Sequence, residues 1–167
     1  YVSGLSKDYK LILVDARGHG LSDKPHVKEA YRAEVMAADY TTILDDLKIP
    51  KASYFGYSMG GRIGFGCIAR YDLSRFNAII IGGASPYGAT DIEKQANIKR
   101  TADIQAGGMQ ALVDFFEGRE GAMPPARKAQ MLNNDVTAIV TMMQTSQLEW
   151  PPATDVLPKI NVPTLLF

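Results

Sequence analysis

Gly56-Tyr57-Ser58-Met59-Gly60 is the stretch of this chain whose residue types and spacing best support chemistry. A serine hydroxyl acts as a nucleophile only when it protrudes toward a substrate and a neighbouring base can take its proton. A serine on a turn tight enough to force positive φ meets the first condition. A Cβ two positions before or after it collides with the adjoining strand or helix, so glycine is expected at both 56 and 60. That is the physical content of the G-x-S-x-G nucleophile elbow. Such a serine attacks a carbonyl carbon. The Met59 N–H, directly after it at a helix N-terminus, is expected to donate to the oxyanion that forms.

The flanking residues can build that turn. Upstream, Ala52-Ser53-Tyr54-Phe55 is short, aromatic and β-prone, and follows the breaker pair Ile49-Pro50. Downstream, Gly60 to Tyr71 has helical length and carries several glycines. Glycine in a helix costs about 1 kcal/mol relative to alanine, so their number points to close packing against a sheet. Earlier still, Lys10-Leu11-Ile12-Leu13-Val14-Asp15 reads as a strand buried on both faces, closing on an acid. A loop of glycines and local hydrogen-bonding residues follows, Ala16 to Asp23. From Tyr31 to Leu47 the apolar residues Met36, Tyr40, Ile43, Leu44 and Leu47 share one helical face, with Asp39, Thr42, Asp45 and Asp46 mostly on the other.

With both motifs in place, D-x-R-G-H-G-x-S from Asp15 to Ser22 and G-x-S-x-G-G from Gly56 to Gly61, the chain resembles the α/β-hydrolase family. It resembles the branch of small esterases, lactonases and carbon–carbon bond hydrolases. The resemblance continues through Asn77 to Gly83, like the strand after the elbow helix, and resumes at Val162 to Phe167, like the next strand. It implies an α/β class: a partial α/β-hydrolase fold of mainly parallel strands flanked by helices, with a helical cap inserted after the sixth family strand. The expected division is a partial core with the elbow over residues 1–86, a helical cap over 87–158, and the start of the next core strand over 159–167. Starting at Tyr1 and stopping at Phe167 inside an apparent strand, the chain reads as a fragment lacking the family's first three strands and everything after the seventh. Family sheets run one-two-four-three-five-six-seven-eight. The strand at Leu11 to Asp15 is then expected to face a gap beside the one at Ser53 to Phe55.

The resemblance also distributes roles. The family supplies serine, acid and histidine in that order along the chain, the acid after the seventh strand and the histidine after the eighth. Ser58 takes the first role, while the catalytic acid, the histidine and the second oxyanion donor are expected outside this chain. Both histidines present, His19 and His26, precede the serine. His19 and Tyr57 are candidates to line the site. His19 as general base is the lesser alternative to an ordering role in its loop, and His26 reads as a solvated side chain. Asp15 could imitate a catalytic acid but more simply anchors the following turn. Asp91, Asp135 and Asp155 read first as helix N-caps, with Asp91 also at the alternative acid position of some relatives.

In the cap region Met109, Leu112, Val113, Phe115 and Phe116 form one apolar face, and Met131, Ile139, Val140, Met142 and Met143 form another set. Such thioethers suit an apolar acyl or alkyl group, although holding the cap helices in place is the simpler role. Trp150 either closes the pocket mouth or packs.

Composition narrows the field. The 167 residues are 46% apolar and 22% charged with zero formal net charge, so no electrostatic footprint points to nucleic acid or an anionic membrane. Apolar runs are too short to span a bilayer, and no basic start precedes an apolar stretch. Cys67, the single cysteine, fits a reducing compartment and reads as a small buried apolar side chain. The expectation is a cytoplasmic serine hydrolase acting on a small ester, lactone or related carbonyl substrate, with no cofactor and no metal. Serine in place of aspartate at 58 argues against dehalogenase or epoxide hydrolase chemistry. A non-catalytic ligand-binding or receptor protein on the same fold, or a complete small structural protein, are the competing classes.

Overall fold

The computed structural model describes residues 2–70, 73–146, 155 and 157–167. In chain order its elements are α1 (Val2–Leu5), α2 (Ala33–Asp46), β1 (Ala52–Tyr57), α3 (Met59–Arg70), β2 (Phe76–Gly82), α4 (Asp91–Glu120), α5 (Pro125–Leu132), α6 (Val136–Ser146) and β3 (Thr164–Leu166). Short 3-10 turns precede α2, β2 and the run into β3. The three strands form one parallel sheet in the order β1-β2-β3, with Tyr54 opposite Ile79, Gly56 opposite Ile81 and Ile80 opposite Leu165. Parallel neighbours need a crossover, which α3 supplies between β1 and β2.

Strand alternation decides which side of the sheet is covered. Tyr54 and Gly56 of β1 face α3 and are buried, as are Ile79 and Ile81 of the central strand. Gly61 and Gly64 bring α3 against that face: a Cβ on Gly61 would lie 2.7 Å from Ala84 Cβ, and one on Gly64 2.9 Å from Tyr54 Cε1. Gly66 turns the other way, toward Ala33 and Ala37 of α2. The glycines of α3 thus serve two interfaces, the sheet and a second helix. On the opposite sheet face Phe55 stacks on Phe167 at 6.4 Å with an 8° interplanar angle, both rings exposed.

Helix α2 buries Met36, Ala37 and Leu44, while Leu47, expected on the same face, lies past the helix end and is exposed. There the chain turns on Lys48 at φ 56°, with Ile49 N–H donating to Leu44 O at 2.8 Å, the six-to-one closure of a Schellman cap. Helix α4 is two helical stretches meeting at Gly108, whose φ of 66° breaks the run. The apolar residues Ile104, Met109, Ala138, Ile139 and Val140 of α4 and α6 join Tyr31, Met36 and Phe65 in one continuous core. Cys67 is buried in the same core, where desolvation pushes its thiol up to about 12.

The run Lys10 to Asp15 does not form the expected two-sided strand. Among the described residues no strand pairs with it, and Leu13 is 70% exposed. A strand needs a hydrogen-bonded neighbour, and among the described residues no strand pairs with β1 on the side away from β2.

Candidate active site

Ser58 is the only residue between the last residue of β1 and the first of α3. Its own N–H donates to Gly82 O at 2.8 Å, extending the ladder with β2, and its carbonyl accepts from Arg62 N–H at 3.1 Å, the first bond of the helix. One residue therefore closes the sheet and opens the helix. The reversal is made at φ 51°, a left-handed conformation that non-glycine residues rarely take. The Ser58 side chain is exposed, and α3 begins at Met59, whose N–H belongs to the unpaired donors of the first helical turn.

Gly56 is required by space. A Cβ there would overlap the Gly60 carbonyl oxygen and come within 2.5 Å of its carbon. Gly60 itself is not so confined, since its nearest contact would be Tyr54 Oη at 3.9 Å. The expectation of glycine at both positions is corrected on this point. The close approach is between the Gly56 Cα and the Gly60 backbone, so only a side chain at 56 falls in the gap. Tyr54, a residue the sequence motif does not single out, donates its hydroxyl to Gly60 O at 2.6 Å and so pins the same carbonyl from the strand. The Tyr57 ring lies over the turn after β2, where a Cβ on Gly82 or Gly83 would meet it at 2.8 or 3.1 Å.

The loop from Asp15 to Asp23 is held from within. Asp15 Oδ2 accepts from Leu21 N–H at 3.0 Å and its carbonyl accepts from Ser22 Oγ at 2.7 Å, so the acid anchors the turn as expected. Arg17 reaches across to Asp39 on α2 in a two-point contact, a pairing over 22 positions that no local pattern announces. His19 is half-buried, its Nδ1 3.3 Å from Arg17 O, and burial lowers its pKa. Neither histidine is hydrogen-bonded to Ser58 among the described residues.

Two expectations change. His26 is not a free solvated side chain, because its Nε2 lies 3.0 Å from Asp135 Oδ1. Asp135 also caps α6 by accepting from Ala138 N–H at 2.8 Å, which with His26 holds its carboxyl below the usual range. Asp91 is not the cap of α4. Thr90 is, in a reciprocal box with Glu93, and Asp91 is the exposed first helical residue, paired with Lys94 at 3.1 Å. The sequence carries a signal for this that the reading of Asp91 as the cap passed over, a hydroxyl at Thr90 followed three positions on by Glu93. The methionines at 109 and 142 are buried in the core and Met131 and Met143 pack against it, the simpler of their two expected roles. Trp150 and the surroundings of Asp155 fall outside the described residues or at their margin.

A cleft of about 250 Å³ lies elsewhere, bounded by Val14, Arg17, Asp39, Tyr40 and Ile63, and does not include Ser58. It lies along the unpaired run before the Asp15 loop.

Comparison with known proteins agrees with this geometry. The alpha/beta hydrolase fold family matches residues 2–165, and the chain belongs to that family. It is 27% identical over 181 aligned positions to a putative 2-succinyl-6-hydroxy-2,4-cyclohexadiene-1-carboxylate synthase of Bacillus subtilis, covering 100% of this chain and 66% of that protein. It is 32% identical over 112 positions to 3-oxoadipate enol-lactonase 1 of Acinetobacter baylyi, covering 67% of this chain and 40% of the lactonase. Among solved structures, the enol-lactonase of Burkholderia xenovorans LB400 superimposes with a TM-score of 0.82 at 24% identity, over 99% of this chain and 64% of that one. That likeness establishes the fold. The chain spans about two thirds or less of the length of these relatives.

Proposed function

We propose that Ser58 is the nucleophile of a serine hydrolase acting on a small ester, lactone or related carbonyl substrate. The single observation that carries this reading is the strained, one-residue turn that presents an exposed serine at the mouth of a helix. In the proposed reaction Ser58 Oγ attacks the carbonyl carbon as its proton passes to a general base. The oxyanion receives a hydrogen bond from Met59 N–H, and the alkoxide leaves with a proton to give an acyl-enzyme. Water then attacks the acyl carbon, releasing the acid and restoring the serine. The base, the acid that orients it and the second oxyanion donor come from residues outside this chain, and no cofactor or metal is needed.

His19 and Tyr57 border the site rather than take part in proton transfer. The helices of 87–158 form a cap over a core made by 1–86 and 159–167. Relatives named as lactonases support a carbonyl substrate of this kind.

In the full-length protein, Ser58→Ala is expected to abolish p-nitrophenyl ester turnover and fluorophosphonate labelling while the far-UV circular dichroism stays that of the parent. Labelling that survives the substitution overturns the assignment.

A further inference from the structure

A buried tyrosine needs a slot for its ring and a partner for its hydroxyl. Tyr54 of β1 finds both at the elbow. It is buried, and its ring stands edge-on to Tyr40 of α2 at 5.2 Å and to Phe76 of β2 at 6.3 Å. The slot is made by missing side chains. A Cβ on Gly56 would lie 2.7 Å from Tyr54 Cε1, and one on Gly64 would lie 2.9 Å from the same atom. One glycine before the serine and one in the second turn of α3 therefore make room for this ring.

The hydroxyl donates to Gly60 O at 2.6 Å. The helix does not require that bond. A helical carbonyl takes an N–H from four residues on, and the groups left without partners in a first turn are N–H groups. A leucine or phenylalanine would fill the same inward strand position with no hydroxyl to satisfy. Burial, with Tyr40 and Cys67 adding to it, pushes the Tyr54 phenol far above its ordinary value, so the hydroxyl stays a donor.

The bond grips the turn that carries the serine. Arg62 N–H donates to Ser58 O and closes residues 58–62 into the first turn of α3, with Gly60 at its midpoint. Two glycines in succession, Gly60 and Gly61, follow Met59. The backbone is thus most permissive directly after the N–H that must point at the oxyanion. Against that freedom the Gly60 carbonyl is held twice from β1, by the close approach of Gly56 and by the Tyr54 hydroxyl.

We propose that Tyr54 is a positioning residue for the hydrolysis: its hydrogen bond to Gly60 O holds the first turn of α3, and with it the Met59 N–H, in the direction the oxyanion requires. Being buried, it acts through the turn and not on the substrate. This inference rests on the assignment of Ser58 as nucleophile. The Met59 N–H serves the oxyanions of acylation and deacylation alike, so misdirecting it slows both steps and lowers kcat while KM holds.

The test is steady-state turnover of p-nitrophenyl butyrate by the full-length protein, measured well below the thermal midpoint of each variant. Tyr54→Phe keeps the ring and removes the donor. It is expected to lower kcat by about ten-fold and leave KM within about two-fold of the parent. Para-aminophenylalanine at position 54 returns an N–H donor and is expected to recover most of the loss. Ile104→Val trims the core on α4 and is expected to lower the thermal midpoint with kcat unchanged. An equal fall in kcat for Ile104→Val overturns the inference, because destabilisation alone would then explain it. So does a Tyr54→Phe protein with a lower midpoint and parental kcat, or with a loss confined to KM. If Tyr54→Phe does not fold, para-fluorophenylalanine at 54 fills the hydroxyl's place without donating and is read in the same way. If the parent is labelled by fluorophosphonate at Ser58 without turning over the ester, the labelling rate is read in place of kcat. A parent that neither turns over nor is labelled overturns the nucleophile reading and takes this inference with it. An active parent with Tyr54→Phe unchanged overturns this inference alone.

Discussion

Arg17 grips both carboxylate oxygens of Asp39, with Nε 3.0 Å from Oδ2 and a terminal nitrogen 2.6 Å from Oδ1. The contact raises the Arg17 pKa, the hydrogen bond to Asp39 being the largest cause, and it ties the Asp15 loop to α2. Both side chains are about one quarter to one third exposed, so solvent screens the pair and its worth is about 1 kcal/mol. Asp39→Asn is expected to lower unfolding stability by about that amount in a urea titration. Amide exchange at Gly18 and His19 should accelerate in the same variant. Unchanged exchange there would mean that the loop is held by its internal bonds alone.

The two elbow glycines should respond differently to the same substitution. Gly56→Ala drives a methyl group into the Gly60 carbonyl and is expected to cost about 3 kcal/mol or more, visible as loss of folded protein. Gly60→Ala meets nothing closer than 3.9 Å and gains helix propensity, so it should lie within about 1 kcal/mol of the parent. Equal losses at the two positions would contradict the geometry.

Ser58 and Lys48 are the two non-glycine residues at positive φ among the described residues, at 51° and 56°. Replacing either with glycine removes a steric cost of about 1 kcal/mol, offset in part by the greater freedom of the unfolded chain. Both Ser58→Gly and Lys48→Gly are expected to raise the thermal midpoint. Only the first should remove fluorophosphonate labelling, which separates strain kept for chemistry from strain at a helix end.

Acid should loosen the contact between α4 and α5. Glu117 accepts from Lys128 Nζ at 3.0 and 3.2 Å and from Met123 N–H at 3.1 Å, and these bonds, Lys128 first, hold its carboxyl below the ordinary 4.5. The folded value lies under the unfolded one, so the contribution is complete above the ordinary value and is lost as pH falls through the lower folded value. Glu117→Gln is expected to flatten the acid limb of a stability-against-pH curve and to leave the neutral region with a smaller, constant loss. A limb of unchanged slope would assign the acid sensitivity to other carboxylates.

The parts of this molecule that depend on near neighbours could be read directly from its residues. The turn at Ser58, the α3 glycines and the face of α2 at Met36 and Leu44 all follow from steric rules acting over a few positions. The errors have one origin. Lys10 to Asp15 has the composition of a buried strand, but a strand is a pairing, and composition does not supply a partner. His26 meets Asp135 across 109 positions and Arg17 meets Asp39 across 22, distances over which polar residues look merely solvated. At Gly60 the motif was legible while its cause was not, since the crowding belongs to Gly56.

The single-residue turn at Ser58 has a consequence for how such a protein can diversify. The serine takes its position from Gly82 and Arg62, through main-chain bonds that ignore side-chain identity. Exposed side chains on α4, α5 and α6 can then be exchanged without altering those bonds. If Ser58 is the nucleophile proposed above, its place is fixed by backbone, while the exposed faces of the helices are left open to change.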